Sequence, residues 1–417
     1  MRLKRFTPSS VHVAVLLLLA LALPAGANDW PQWRGPLRNG ISTETGLLKE
    51  WPKEGPRLVW KATGLGKSYA TVSVVGDRIY TAGDQNAGNF VVALNAADGK
   101  QVWASKLGKP GEFGGYVGPK AAPTVDGELL YSMDQWGELV CFESASGVEK
   151  WRKDMVKDLN GSRPGWGFTE SPLVDGDKVM VTPGGDGGAI AALDKKSGAV
   201  IWRSKEFKDR PHYASLIIAE VGGVRQYIQL TAASVAGVAA ADGKLLWRAP
   251  RKGEVAVIPT PIEDSRLVYV TSGYGVGCNL FHVNGAGGTF SVKEVYANKV
   301  MKVHHGGVIK IGDFVYGYSD GGGWTCQDFK TGVAKWQEKE KLGKGSLTFA
   351  DGHFYLRSES KSVMALIEAT PLGYKEHGRF TPPDLSGKET WPHPVIANGR
   401  LYLRDQDVLL CYDVLAK

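Results

Sequence analysis

The segment Ala96-Ala97-Asp98-Gly99-Lys100-Gln101-Val102-Trp103 returns as Ala241-Asp242-Gly243-Lys244-Leu245-Leu246-Trp247, and in looser copies ending at Trp151, Trp202 and Trp336. A unit that recurs every roughly forty to fifty residues is one supersecondary module stacked repeatedly, and this bounds the fold before any single residue is read. The unit is a turn, Asp, Ser or Thr followed by Gly, and then a short strand closing on Trp. Ahead of it stand two strands about a Gly turn, Thr71 to Thr81, and a third, Phe90 to Asn95. Four short strands of β-branched and aromatic residues, punctuated by turn residues, read as an antiparallel meander. Such sheets repeated many times are propeller blades. No stretch keeps a helical period.

The closing strands fall at Trp103, Trp151, Trp202, Trp247, a degenerate Tyr296, Trp336 and a weak copy near Tyr374, which makes seven modules. The C-terminus then offers three strands of another, Pro394 to Leu403 and Val408 to Asp413, and no fourth. Arg57-Leu58-Val59-Trp60-Lys61 has the look of a closing strand without partners. Joining the two ends completes an eighth blade and removes an open sheet edge. The expectation is all-β: an eight-bladed propeller of four-stranded antiparallel blades over residues 57–417, closed by an N-terminal strand. Seven blades is the alternative, if the modules near Tyr296 or Tyr374 do not form. Residues 28–56 lie outside the repeat. Their Asp29-Trp30-Pro31-Gln32-Trp33 predicts an irregular, ordered segment packed on the propeller, because exposed paired Trp would be costly.

Residues 1–27 read as a secretory signal peptide: basic Arg2, Lys4 and Arg5, an apolar Val13 to Leu23, and a small-residue cleavage site at Ala25-Gly26-Ala27. The apolar part is too short for a membrane span. The mature chain is therefore expected to be a monomer exported to the periplasm or beyond the cell. Formal charge is +7, of which three positive charges lie in the leader. The remainder is dispersed, with no basic stripe, so nucleic acid is excluded as a partner. Four cysteines in an exported chain invite a disulfide reading. Cys141, Cys326 and Cys411, however, occupy one and the same slot of different modules, beyond bridging distance, and are expected as buried apolar side chains. Cys278 lies in a Gly-rich stretch outside this register.

The Asp-Gly-Lys-x-x-Trp repeat, the Gly-Arg/Asp-x-x-Tyr turn and the eight-blade closure resemble the pyrroloquinoline-quinone-like (PQQ-like) β-propeller repeat family across the whole mature chain. The opening Asp29 to Gly40 is similar to the start of exported members from planctomycete- or verrucomicrobia-type bacteria. The resemblance implies three kinds of relative: quinone-dependent alcohol dehydrogenases, polyvinyl-alcohol dehydrogenase-like proteins, and non-enzymatic outer-membrane assembly propellers. The catalytic members have an adjacent Cys-Cys at the cofactor, a Ca²⁺ site of acidic and amide residues, and long insertions over the cofactor. This chain has no adjacent cysteines and no Cys-x-x-Cys-His motif, and it is shorter. Fold alone does not choose between these activities.

In a propeller the first strand of each blade lines the central channel, and its leading end forms a funnel. The residues six and seven places before each first-turn Gly, with their neighbours, give the candidate funnel set Tyr69, Lys120, Glu170, His212, His304, His305, Lys344, Trp391 and His393. Strand alternation predicts that only one of His304 and His305 faces the channel. The motifs favour a non-catalytic scaffold that binds a protein, peptide or carbohydrate at this face, with no cofactor required. The alternative is a PQQ-dependent alcohol or polyvinyl-alcohol dehydrogenase-like oxidoreductase, with PQQ and Ca²⁺ held near Glu170, the His304-His305 pair and Lys120. A third reading uses the funnel histidines to hold a metal for hydrolysis or lysis.

Overall fold

The structure, a computed structural model, describes residues 28–416; the leader expected at 1–27 lies outside the described residues. The chain forms eight four-stranded antiparallel sheets. Blade one is typical: Ser73–Val75, Arg78–Asp84, Asn89–Asn95 and Gln101–Gly108, each strand pairing with the next. The degenerate modules form blades as well. Tyr296 lies in the closing strand Thr289–Asn298, and Tyr374 just ahead of the closing strand Glu376–Phe380. The eighth blade is built from both ends of the chain, with Arg57–Ala62 pairing along Val408–Asp413 and Trp60 opposite Cys411.

The repeated Trp has a specific task. Trp60, Trp103 and Trp151 each lie over the turn Gly of the next blade, so that a Cβ on Gly99, Gly147 or Gly198 would stand 2.6, 2.6 and 2.7 Å from the ring. Each of these glycines has a φ near +70°. The indole N–H then donates to a carbonyl of that next blade, Trp60 to Ala96 at 3.0 Å, Trp103 to Ser144 at 3.1 Å and Trp151 to Lys195 at 3.0 Å. Tyr296 does the same through its hydroxyl to Phe329, 2.8 Å. Asp-Gly and Trp therefore recur together because they form two halves of one inter-blade contact. Across the sheet, the Trp faces the small-residue slot: Ala93, Cys141, Ala192, Cys326 and Cys411 stand opposite Trp103, Trp151, Trp202, Trp336 and Trp60. All four cysteines are free and buried. Cys278 lies two residues before the slot on the third strand of blade five, opposite Asn298, with its Sγ 3.1 Å from Asn298 Oδ1.

The first strands form the inner ring, tied blade to blade by hydroxyls. Ser73 Oγ donates to Pro123 O at 2.5 Å, Thr124 Oγ1 to Pro172 O at 2.6 Å and Thr348 Oγ1 to Pro394 O at 2.6 Å. Residues 28 to about 49 run along one end of this ring. Trp30 exchanges backbone hydrogen bonds with Val74 (2.8 and 2.9 Å), Pro31 O accepts from Val125 N (2.8 Å), and Gly40 and Ser42 pair with Phe349 (2.9 and 2.8 Å). Arg38 donates to Ser171 O and Pro172 O at 2.7 and 3.2 Å, Arg34 to Val308 O at 2.5 Å, and Glu44 accepts from Gly399 N at 2.7 Å. The segment thus touches the inner strands or adjoining turns of blades one, two, three, six, seven and eight. Among the described residues no helix is long and apolar enough to cross a membrane.

Candidate functional site

Beyond this segment the channel opens into a cavity of about 140 Å³. Trp33 is its floor: its indole N–H donates to Thr260 Oγ1 at 3.0 Å and its ring packs at 4.7 Å on His393. A ladder of positions shows how the two levels are stacked. Tyr69, Lys120, Thr169, His305 and His393 line the cavity, and two to six residues further along the chain Val74, Val125, Ser171, Val308 and Gly399 meet the N-terminal segment. The cavity is consequently blind on that side.

Its walls are mostly aromatic. Tyr69, Tyr116 and Trp391 pack on one another with centroids 4.6 to 5.7 Å apart. Trp166, Tyr213 and Tyr274 line the opposite part of the ring of blades. Lys120 projects into this lining with a single weak contact, Tyr116 O at 3.5 Å, and no carboxylate pairs with it among the described residues. Burial lowers its ammonium to a pKa of about 8, since a charge away from water is disfavoured unless it is paired.

The histidines gather on one side. Both His304 and His305 line the cavity, contrary to the alternation expected of a strand. The reason is local: residues 301–307 are irregular and the strand begins only at Val308, so the period of two does not apply. The rings lie 5.5 Å apart, edge to face. Lys344 Nζ is 2.6 Å from His304 Nδ1, 3.6 Å from Asp320 and 4.0 Å from Glu359 Oε2. Glu359 Oε1 accepts from Trp391 Nε1 at 2.7 Å and stands 3.6 Å from His305 Nδ1. Among the described residues neither ring nitrogen of His305 has a hydrogen-bond partner. Burial, with Lys344 close by, holds His304 at a pKa of about 4 and His305 well below the ordinary value. His393 is lowered to about 3 by burial and by Arg34 beneath it.

Three members of the sequence-derived set, Glu170, His212 and Lys344, sit outside the lining. Glu170 is fully buried behind the lining; its carboxylate accepts from Thr182 N (2.7 Å), Thr182 Oγ1 (2.8 Å) and Gln229 (3.3 Å). Burial raises it to a pKa of about 7, against the pull of those bonds and of Arg38. His212 turns its Nδ1 to accept from Val257 N at 2.9 Å, and its neighbour Tyr213 takes the cavity position. Lys344 reaches the cavity only through His304. Tyr274, Asp320 and Glu359, absent from the set, share one signal: each lies at or just past the end of a second strand, in blades five, six and seven. In an antiparallel pair that end lies beside the start of the first strand, so the same mouth receives both.

The fold is an eight-bladed propeller with an aromatic-walled axial cavity. Residues 87–338 match the family model described as Outer membrane protein assembly factor BamB; this is more than half of the chain, which belongs to that PQQ-like repeat family. Among curated relatives, the assembly factor BamB of Bordetella pertussis (strain Tohama I) is 27% identical over 195 residues, 45% of each chain. The polyvinylalcohol dehydrogenase of Sphingopyxis sp. (strain 113P3) is 24% identical over 257 residues, 58% of this chain and 35% of its own. The matches thus span half or less of these relatives' length. Among solved structures, BamB from Moraxella catarrhalis superposes with a TM-score of 0.62 at 16% identity, covering 86% of this chain and 99% of its own. The quinohemoprotein alcohol dehydrogenase of Comamonas testosteroni superposes at 0.61 and 12% identity, covering 93% and 81%. At these identities the structural likeness speaks for the fold alone.

Proposed function

We propose that this chain is an exported propeller whose axial cavity binds a flat, anionic aromatic molecule, a pyrroloquinoline-type quinone, and that it acts as an alcohol-oxidising oxidoreductase of the polyvinyl-alcohol-dehydrogenase type. One observation carries the reading: an unpaired, desolvated Lys120 ammonium stands in a blind cavity walled by seven aromatic rings, Trp33, Tyr69, Tyr116, Trp166, Tyr213, Tyr274 and Trp391. A buried cation without a partner favours an anion, and stacked rings favour a flat one. Both properties belong to a tricarboxylate quinone. Lys120 would pair with a carboxylate, and Tyr69, Tyr116 and Trp391 would bound the ring plane. Bound there, the quinone would supply the acceptor for two electrons from an alcohol. Trp33 and the segment behind it keep water from entering through the floor.

Calcium fits this cavity poorly. Ca²⁺ takes six to eight oxygen ligands, whereas the cluster beside the cavity is two imidazoles and the single carboxylate of Glu359. No step is routed through Ca²⁺. The test is loading: purified mature protein incubated with PQQ should retain the quinone absorbance through gel filtration and quench its Trp fluorescence, and Lys120→Ala should weaken binding at least roughly tenfold, the worth of one charge-assisted hydrogen bond. Absence of binding at micromolar quinone would end the reading.

The family match favours a second reading, a scaffold that holds a protein or peptide across the funnel mouth. It predicts that a substitution such as Tyr274→Ala, at an exposed residue of the lining, abolishes co-purification of a partner while the cavity variant Lys120→Ala does not.

A further inference from the structure

The His304-His305-Glu359 cluster is a group whose chemistry the quinone reading leaves unused. We propose that it is a first-row transition-metal site, of the Zn²⁺ type, in which Lys344 serves as a tethered cation that the metal displaces.

The donor atoms of the three residues lie within 4.8 Å of one another. His305 Nδ1 and Glu359 Oε1 are 3.6 Å apart, near the roughly 3.3 Å that separates two ligands on a tetrahedral ion with ~2.0–2.1 Å bonds. The independent sign is His305 itself. The residue is 6% exposed, and among the described residues neither ring nitrogen has a hydrogen-bond partner, which is rare for a buried polar group and points to a ligand that completes it. Two imidazoles and one carboxylate suit zinc, cobalt or copper and do not suit calcium or magnesium. The supporting contacts are those of a metal site as well. Trp391 Nε1 holds the Glu359 carboxylate at 2.7 Å, and Tyr274 OH stands 3.3 Å from His304 Nε2. His304, His305 and Trp391 border the cavity, so a fourth ligand position would open on it, as in sites that bind or activate a small ligand.

Lys344 Nζ now stands against His304 Nδ1 and faces Asp320 and Glu359, the place where positive charge is wanted. A divalent ion entering there would push the ammonium away from His304, toward Asp320 Oδ1, which already stands 3.6 Å from it. Removing the Lys344 charge should therefore strengthen metal binding, the reverse of what deleting a lining residue ordinarily does.

The test is independent of the quinone, since it reads metal on quinone-free protein. The full mature chain is stripped with chelator and titrated with Zn²⁺ by calorimetry, and with Co²⁺ by its visible absorption. The expected result is one ion per chain, with the intense Co²⁺ bands of a four-coordinate site. His305→Ala and Glu359→Gln should each weaken Zn²⁺ by ~100-fold or more, Trp391→Phe by ~10-fold, and Lys344→Met should tighten it by ~10-fold. Circular dichroism of each variant checks folding, and Glu359→Gln, at a partly exposed position, keeps the test valid if His305→Ala does not fold. The proposal is overturned by no stoichiometric Zn²⁺ or Co²⁺ at micromolar concentration, by binding that Glu359→Gln leaves unchanged, by weaker binding in Lys344→Met, or by Ca²⁺ binding tighter than Zn²⁺.

Discussion

Replacing Trp60 by Ala tests the ring closure at its seam. The half-buried indole covers Gly99, donates to Ala96 O at 3.0 Å, stands opposite Cys411 and lies 6.1 Å from the Tyr402 ring. Truncation returns on the order of 150 Å² of apolar surface, about 3–4 kcal/mol at ~25 cal/mol per Å². The lost hydrogen bond adds about 1 kcal/mol. The sum, about 4–5 kcal/mol, agrees with the ~3–5 kcal/mol usual for Trp→Ala in a packed site. For a chain of this length the entropy of unfolding is ~0.8 kcal/mol/K, so the melting temperature should fall by about 5–6 °C. The loss should also be local. Amide exchange should quicken first along Arg57–Ala62 and Val408–Asp413, because these two strands form the sheet seam between the chain ends. Trp202→Ala is the comparison: Trp202 is a buried closing Trp whose Nε1 has no partner, so it should cost about 1 kcal/mol less than Trp151→Ala, whose indole is bonded to Lys195. A Trp60→Ala melting shift below about 1 °C, or exchange that quickens equally in all blades, would refute the idea that this residue holds the seam.

Two further outcomes follow from buried charge. Lys120 titrates near pH 8, so binding of an anionic ring should be strongest below that pH and should decline as the ammonium loses its proton above it; a pH-independent affinity between 6 and 9.5 would separate the ligand from Lys120. Arg38 and Glu170 are oppositely charged and fully buried, and Glu170 has its folded pKa raised from 4.5 to about 7. A carboxyl raised on folding lends stability below its unfolded pKa and loses it as pH rises through the folded value, here between about 4.5 and 7. Without Arg38 that window extends upward. Arg38→Met should therefore cost about 3 kcal/mol at pH 8, and less at pH 5, where Glu170 is protonated and only the bonds to Ser171 and Pro172 are lost. Denaturation that shows equal losses at the two pH values would contradict this.

Much of the fold was legible because its contacts repeat. Asp-Gly and Trp occur together since the ring of one blade covers the turn of the next, and the cysteine slot recurs because it faces that ring; both are near-neighbour relations that a periodic sequence displays. The open three-stranded tail and the orphan strand at Trp60 likewise declared each other, since a sheet edge has few stable fates. Part of the site was legible too. Tyr69, Lys120, His304, His305, Trp391 and His393 line the cavity, as the leading-end rule for first strands expected. Glu170 and His212 obeyed the same rule and turned aside, because backbone N–H groups at Thr182 and Val257 claimed their side chains. His304 escaped the alternation rule because its stretch is not a strand.

The sequence by itself determined the blade, the number of blades and the way the ring is sealed, since each rests on short-range turn chemistry and packing written many times over. Only the tertiary structure decided that the axis is stopped by Trp33 and Arg34, that an unpaired Lys120 faces seven aromatic rings, and that His304, His305, Lys344 and Glu359 meet. These contacts occur once each, between blades or across the axis, and depend on where closing the ring brings distant loops. No local period encodes that distance.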